Sequence, residues 1–418
     1  MNEVHASIIT IGDELLIGQT IDTNSAFIGQ ELNKIGVWVK RRIAVGDVKE
    51  EILNTLAVQS KDNQIIIITG GLGPTADDIT KPALCEYFNS HIIINDAALR
   101  NVKDIFTRLN RPLIERNLKQ AEVPHNCTVL QNKRGTAPGM WFEKEDVIYV
   151  SLPGVPHEMR GLITDSVVPK LRETFLLPFI IHKTALVAGK GESEIAELIK
   201  NFEEALPKNI KLAYLPAYGM VRLRLTAKGD NSELVTKEVS EQFQTLQSLV
   251  KDWLVADEDI SLQEALEKLL EEKNLFVGTA ESCTGGYIAH LLTARPGASK
   301  SYKGTVVSYA NETKEHVLGV SHETLIQHGA VSEETVTQMA KGAVQTLNVD
   351  YAIATSGIMG PEGGSHEKPV GTVWIAVANR NKVKAAKFFY RFDRQRNIQL
   401  TANAALNMLR LFILEEEK

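Results

Sequence analysis

The sequence predicts an α/β chain of more than one domain, built on parallel sheets. Three observations carry that reading. Residues 4–69 alternate apolar runs with stretches of helical periodicity, the pattern of strands joined by crossover helices. Residues 184–251 change to a strand–helix–strand–strand–helix rhythm. Beyond residue 257 a strand runs into a glycine turn and then a helix, which opens a second α/β layer. A chain of 418 residues has room for about two or three domains.

In order, residues 4–11 read as a strand ending at Gly12, followed by Asp13-Glu14 and then Asp22-Thr23-Asn24. A helix follows with Ile28, Leu32 and Ile35 inward, and Gly36 stops it. Residues 38–45 are a strand, 49–59 a helix and 64–69 a strongly apolar strand. Ligands of such sheets bind beyond the carboxyl ends of the strands. Both Gly12-Asp13-Glu14 and Gly70-Gly71-Leu72-Gly73-Pro74-Thr75-Ala76-Asp77-Asp78 lie at such ends. Gly70, Gly71 and Gly73 let the backbone wrap a phosphate. Thr75 is placed to cap a helix beginning near Asp77. Asp77 and Asp78 either hold a divalent metal against phosphate oxygens or only complement the helix dipole. No Gly-Lys-Ser/Thr follows, so this is not a Walker A loop. Helix signals run to about Phe175, which sets the first domain at residues 1–175.

The middle domain, residues 176–256, carries strands at 184–188, 210–215 and 221–225 and helices at 193–205 and 233–250. That is a small open sheet backed by helices. Its nearest approach to a nucleic-acid-binding Gly-x-x-Gly loop, Gly189-Lys190-Gly191-Glu192, has the wrong spacing. The module therefore reads as a spacer.

The last domain, residues 257–418, opens on the capping box Ser261-Leu262-Gln263-Glu264. Residues 275–279 form a short buried strand, and Ala280-Glu281-Ser282-Cys283-Thr284-Gly285-Gly286 joins it to a helix at 287–293. Ser282 sits near a helix N-terminus, whose free N–H groups and dipole favour negative charge. A serine placed this way can attack a carbonyl while N–H groups hold the oxyanion. The plainer alternative is that Ser282 or Thr284 only caps the helix. Three later stretches accompany it: Ser308-Tyr309-Ala310-Asn311 with Lys314, Ser356-Gly357-Ile358-Met359-Gly360-Pro361, and Arg391, Arg394 and Arg396 ahead of a final helix at 397–414. Together they bring a nucleophile, a possible base, glycine turns and phosphate-binding cations to one sheet. Singly, each reads as core, solvated charge or surface arginine. No histidine is placed as the base, which argues against a Ser-His-Asp arrangement.

The whole chain excludes some classes. The formal net charge is −6, so bulk nucleic-acid binding gains no support. No apolar run approaches the ~20 residues of a membrane span, and the first residues lack signal-peptide character. Cys85, Cys127 and Cys283 are three cysteines without metal spacing. A reducing, cytoplasmic setting is expected. Cys283 is a rival nucleophile beside Ser282, or a small packing residue.

Residues Gly12-Asp13-Glu14, Asp22-Thr23-Asn24, the Gly70–Asp78 stretch and Leu152-Pro153-Gly154-Val155-Pro156 with Glu158-Met159 resemble the molybdopterin-binding domain of molybdenum-cofactor biosynthesis proteins. With the Ala280–Gly286, Ser308–Asn311 and Ser356–Pro361 signatures and Lys368-Pro369-Val370-Gly371-Thr372-Val373, the chain resembles the CinA family along nearly its full length. The resemblance implies a three-layer α/β/α first domain, an α+β KH-type middle and a C-terminal α/β deamidase domain. It implies deamidation of nicotinamide mononucleotide to nicotinate mononucleotide and ammonia, with no cofactor. For the first domain it implies hydrolysis of ADP-ribose with a divalent metal. Phosphates would meet Gly12, Asp13, Glu14, Asn24, Gly70, Gly71, Gly73 and Thr75, and the metal Asp77 and Asp78. In the last domain Ser282 would be the nucleophile, with Tyr309 and Lys314 as its partners. The N–H groups around Thr284, Gly285 and Gly286 would hold the oxyanion. Ser356 and Gly357 would orient the substrate, and Arg394 or Arg396 would take the phosphate. A homodimer is implied as well. Two departures stand out: Met359 replaces a usual alanine, and Phe392-Asp393-Arg394-Gln395-Arg396 lacks the usual glycine before the aspartate. Two rival functions are a chain in which only the first domain works, and a non-enzymatic competence or recombination adaptor.

Overall fold

The computed structural model describes residues 3–75 and 78–416. The chain divides into two compact units, residues 1–181 with 227–236 and residues 182–226 with 237–418. Among the described residues no helix is long and apolar enough to cross a membrane.

The first unit is built on a six-stranded sheet in the order Trp38–Val45, His5–Ile11, Ile65–Thr69, Val147–Leu152, Gly139–Lys144, Thr128–Leu130. The neighbours are parallel as far as Val147–Leu152 and antiparallel beyond it. Ile65, Ile66, Ile67 and Ile68 are all fully buried because both sheet faces are covered. Ile65 and Ile67 pack with Ile28, Leu32, Met159 and Leu162 on one face. Ile66 and Ile68 pack with Ile52, Leu56, Ala83 and Leu84 on the other. That alternation makes the three-layer sandwich. The chain leaves His5–Ile11 toward Trp38–Val45 and returns on the opposite side at Ile65–Thr69. The reversal opens a crevice at the carboxyl ends of the first and third strands in sequence.

The KH-type module carries a four-stranded sheet, ordered Ile210–Ala217, Met220–Gly229, Phe179–Ala188, Leu254–Ala256. Leu254–Ala256 is an added edge strand, paired antiparallel to the strand at Val187 and Leu186.

The last domain has a five-stranded sheet, ordered Tyr302–Val307, Val277–Glu281, Tyr351–Gly357, Thr372–Ala378, Val383–Phe389. The first three strands in that order are parallel and the remaining two join antiparallel. Leu262, Leu266, Ile288, Leu406 and Leu409 cover one face with Ile353. Leu318, Val336, Met339 and Ala343 cover the other with Ala352 and Ala354. Ser261 caps the opening helix, accepting from the Glu264 N–H at 3.3 Å as its capping box predicts. The strand before Ser282 spans Val277–Glu281 rather than 275–279, so Ser282 is the first residue beyond it. The final helix begins at Arg394, not at residue 397, because Asp393 caps it by accepting from the Arg396 N–H.

Candidate active site

Val277–Glu281 is the switch strand of the last sheet, with neighbours entered from opposite directions. Glu281 is in register with Val307 on one side and Thr355 on the other. Three predicted stretches therefore end side by side: Ser282, Ser308-Tyr309 and Ser356-Gly357. Two bonds fix that edge. Ser308 N–H donates to Glu281 O at 2.9 Å, and Ser282 N–H donates to Thr355 O at 3.0 Å.

Ser282 is half-buried. Cys283 is buried, and burial pushes its thiol up to about 12. It stays protonated, so it packs and does not compete as a nucleophile. Lys314 lies on the helix Asn311–Leu318 and is only 1 % exposed. Its Nζ donates to Ser308 O at 2.6 Å and to Tyr309 O at 3.3 Å. No carboxylate pairs with it among the described residues, and burial holds its pKa below the ordinary lysine value. Tyr309 is exposed, and its hydroxyl accepts from Arg394 Nη2 at 3.4 Å. Arg394 Nη1 donates to Gly360 O at 3.0 Å. Arg396 turns elsewhere, its guanidinium 3.9 Å from the centre of the Phe392 ring. Asn397, fully buried, ties this segment together by donating to Met359 O and Phe392 O.

Three expectations change here. The N–H groups at the start of the helix Tyr287–Thr293 are not free. Glu281, fully buried, accepts from Gly286 N–H at 3.0 Å, Ile288 N–H at 3.0 Å and Ala289 N–H at 2.8 Å. Gly285 N–H donates to Ser282 O at 3.2 Å. An oxyanion hole over Thr284 to Gly286 thus loses Gly285 and Gly286 as donors. Thr284 itself points into the sheet, its hydroxyl 2.8 Å from that of Thr355. Ser356 donates to Ala330 O at 2.6 Å and is buried. Gly357 pairs with Val373, where a Cβ would meet Thr372 O at 2.9 Å. These two residues shape the edge of the site. Glu281 has no role in the sequence reading, although a carboxylate directly ahead of a glycine turn and a helix start is the signal for one.

In the first unit, Gly12, Asp13 and Glu14 follow the strand His5–Ile11, and Gly70, Gly71, Gly73 and Thr75 follow the neighbouring strand Ile65–Thr69. Asp13 and Asp47 each accept the other's backbone N–H at 3.1 Å. Asn24 bridges two strand ends, donating to Gly154 O at 2.7 Å and Thr69 Oγ1 at 3.4 Å. A Cβ on Gly70 would lie 2.2 Å from Ile11 O, so that glycine is required by the close approach of the first strand. The helix expected near Asp77 begins at Thr80, and Thr75 does not cap it. Thr75 instead serves Asp78, whose carboxylate accepts from Gly73 N–H at 2.7 Å and Thr75 N–H at 2.8 Å. Asp77 lies outside the described residues. Among the described residues no group of three or more His, Cys, Asp or Glu side chains converges to hold a metal. The sequence reading also passed over Lys81. It is 6 % exposed, its pKa is lowered to about 8 by burial, and it lines a cleft with Thr75, Asp78, Arg116 and Lys119.

Comparison with known proteins agrees with this layout. Residues 7–173 match a family described as "Probable molybdopterin binding domain", residues 182–256 the damage-inducible protein CinA KH domain, and residues 259–413 the CinA C-terminal domain. The CinA-like protein of Cytophaga hutchinsonii is 46% identical over 407 residues, 97% of this chain and 97% of that protein. The CinA-like protein of Flavobacterium psychrophilum is 47% identical over 412 residues, 98% of this chain and 99% of that protein. A solved structure, competence/damage inducible protein CihA from Agrobacterium tumefaciens, is 40% identical and covers 36% of this chain and 96% of its own, with a TM-score of 0.35. With a molybdopterin-binding-like domain, a KH module and a CinA C-terminal domain in sequence, and relatives matched end to end, the chain belongs to the CinA family.

Proposed function

We propose that the last domain hydrolyses the carboxamide of nicotinamide mononucleotide, giving nicotinate mononucleotide and ammonia. The observation that carries this reading is Lys314: a buried lysine with no carboxylate partner among the described residues, whose Nζ is held by the carbonyls of Ser308 and Tyr309 at the sheet edge that also carries Ser282. Burial disfavours its ammonium form, so a neutral amine becomes accessible as a base. In the reaction, Ser282 Oγ bonds to the carboxamide carbon and its proton passes to Lys314. The carbonyl oxygen becomes the oxyanion, held by the N–H groups of Cys283 and Thr284. When the C–N bond breaks, Lys314 returns the proton to the nitrogen and ammonia leaves. Water then attacks the acyl-serine, Lys314 takes its proton, and the carboxylate is released as Ser282 recovers a proton. Arg394, bridging Tyr309 and Gly360, is the cation offered to the substrate phosphate.

A second activity is proposed for the first unit, hydrolysis of the pyrophosphate of ADP-ribose with a divalent metal brought in by the substrate phosphates. The cleft of Lys81, Arg116 and Lys119 beside the glycine loop favours an anhydride of this kind. The deciding experiment measures ammonia from nicotinamide mononucleotide with purified protein, alongside Ser282→Ala. Release lost in the variant, with ADP-ribose cleavage kept, is expected. A folded parent protein that releases no ammonia would sink the first reading and leave the pyrophosphatase or an adaptor role.

A further inference from the structure

Glu281 is a charged side chain with no exposure, one residue before the nucleophile. Its Oε2 accepts from the N–H groups of Gly286 and Ile288, and its Oε1 from Ala289 N–H and from Thr279 Oγ1 at 3.2 Å. The two carboxylate oxygens offer about four acceptor positions, and four donors fill them. The main chain of the same residue is held by the neighbouring strand through Ser308 N–H. Residues 282–285 therefore form a turn clamped from both ends by Glu281, its backbone in the sheet and its side chain on the helix.

We propose that Glu281 is the positioning residue of the nucleophile turn. Its carboxylate takes the place of an anion at the helix start and fixes residues 282–285. The Cys283 and Thr284 N–H groups are then presented, together with Ser282, to the substrate carbonyl. The proposal rests on the reading of Ser282 as nucleophile. It also gives a specificity rule. The N–H groups of the helix start are already taken by Glu281, so the phosphate of a nucleotide substrate finds no free donors there and is directed to Arg394. A glutamine could not replace Glu281, because its amide nitrogen would face either the N–H groups of Gly286 and Ile288 or that of Ala289. Charge-assisted bonds to backbone N–H are the stronger kind, which suits a group that must hold a turn rigid.

The test uses the full chain and two independent readouts. One is labelling of Ser282 by a fluorophosphonate, which needs an ordered oxyanion hole but no nicotinamide substrate. The other is steady-state deamidation. Glu281→Gln is expected to lower the labelling rate and kcat together, by about 10- to 100-fold, with KM for nicotinamide mononucleotide within about threefold. A merely structural role would lower both only in proportion to the folded fraction, read by circular dichroism and thermal melting. Should the variant not fold, amide hydrogen exchange on the parent protein decides: the Gly286, Ile288 and Ala289 amides are expected to be protected. Open-turn exchange at those amides, or a folded Glu281→Gln with labelling and kcat within about twofold of the parent, overturns the proposal. A parent protein labelled at Ser282 but silent toward nicotinamide mononucleotide overturns the substrate reading alone, and Glu281 is then judged on labelling. A parent not labelled at Ser282 overturns both.

Discussion

Lys314 donates to the Ser308 carbonyl across 2.6 Å, from a side chain that is 1 % exposed. The two residues belong to different elements, Lys314 to the helix Asn311–Leu318 and Ser308 to the loop that follows the strand Tyr302–Val307. A buried ammonium held by carbonyl oxygens, without a carboxylate, costs folding free energy. Such a group is kept where the cost brings chemistry.

The first prediction is that Lys314→Met separates activity from stability. Loss of the base should lower kcat by about two or more orders of magnitude, while KM changes little. The melting temperature should hold or rise, since a methionine fills the space without a buried charge. In the parent protein burial lowers the folded-state pKa of Lys314 below its unfolded value. The unfolded chain therefore binds more protons between those two values. The Lys314 contribution to stability should rise with pH through that window, and kcat should rise with pH through the lower one. A Lys314→Met protein with near-normal kcat and a raised KM would make Lys314 a phosphate ligand and pass the base role to Tyr309.

The second prediction separates the two arginines. Arg394 is tied to Tyr309 and Gly360 at the edge of the site, whereas Arg396 stacks on Phe392. Arg394→Ala should raise KM for nicotinamide mononucleotide by about tenfold or more, the loss expected of a charge-assisted contact. Arg396→Ala should stay within about threefold. The reverse ranking in steady-state kinetics would assign the phosphate to Arg396.

Much of the last domain was legible because its signals are local. The helix Tyr287–Thr293 is found where its apolar spacing put it, and Ser261 caps where the capping box stood. Strand periodicity is weaker: 275–279 and Val277–Glu281 share only residues 277–279, since a short apolar run does not set its own register. Only the partner strands show that Ser282 adjoins Ser308 and Ser356. Glu281 was illegible as a helix holder because its role depends on the main chain of Gly286 to Ala289 folding back over it. The sequence places Arg394 ahead of the final helix rather than at its start, because the capping role of Asp393 is not visible in it. In the first unit, Thr69 and Gly70 were clear from the isoleucine run before them. Lys81 was not, because its burial comes from Lys119 and Gln120, whose carbonyls it contacts from distant sequence.

The third prediction concerns Asp78. Its carboxylate holds Gly73 and Thr75 of the glycine loop. Asp78→Asn should reduce ADP-ribose cleavage, and added metal should not restore it, because the lost function is the shape of the loop. The first unit should also lose about 0.5–1.5 kcal/mol of stability, the net worth of a hydrogen bond whose donors, Gly73 and Thr75, are half-buried and exposed. Activity restored at high metal would instead mark Asp78 as a ligand whose affinity was lowered.

The last prediction compares two fragments of the second unit. Ser282, Lys314, Glu281 and Arg394 all lie within residues 257–418, so that fragment contains every group assigned to deamidation. Its core is not self-contained, however. Leu186 of the KH-type module is fully buried in the same apolar cluster as Leu262, Leu266 and Ile413. Asn403 of the final helix also donates to Tyr218 O, on the turn between two strands of that module, at 3.1 Å. Cutting at residue 257 removes the Leu186 side chain and leaves a gap against Leu262. The burial lost is of the order of one leucine, about 2–5 kcal/mol if the site does not collapse. Residues 257–418 should therefore fold and release ammonia with a near-normal kcat, but melt well below residues 182–418. Equal melting temperatures would show that the module packs without stabilising the domain. A folded but inactive 257–418 fragment would mean that the KH-type module completes the site.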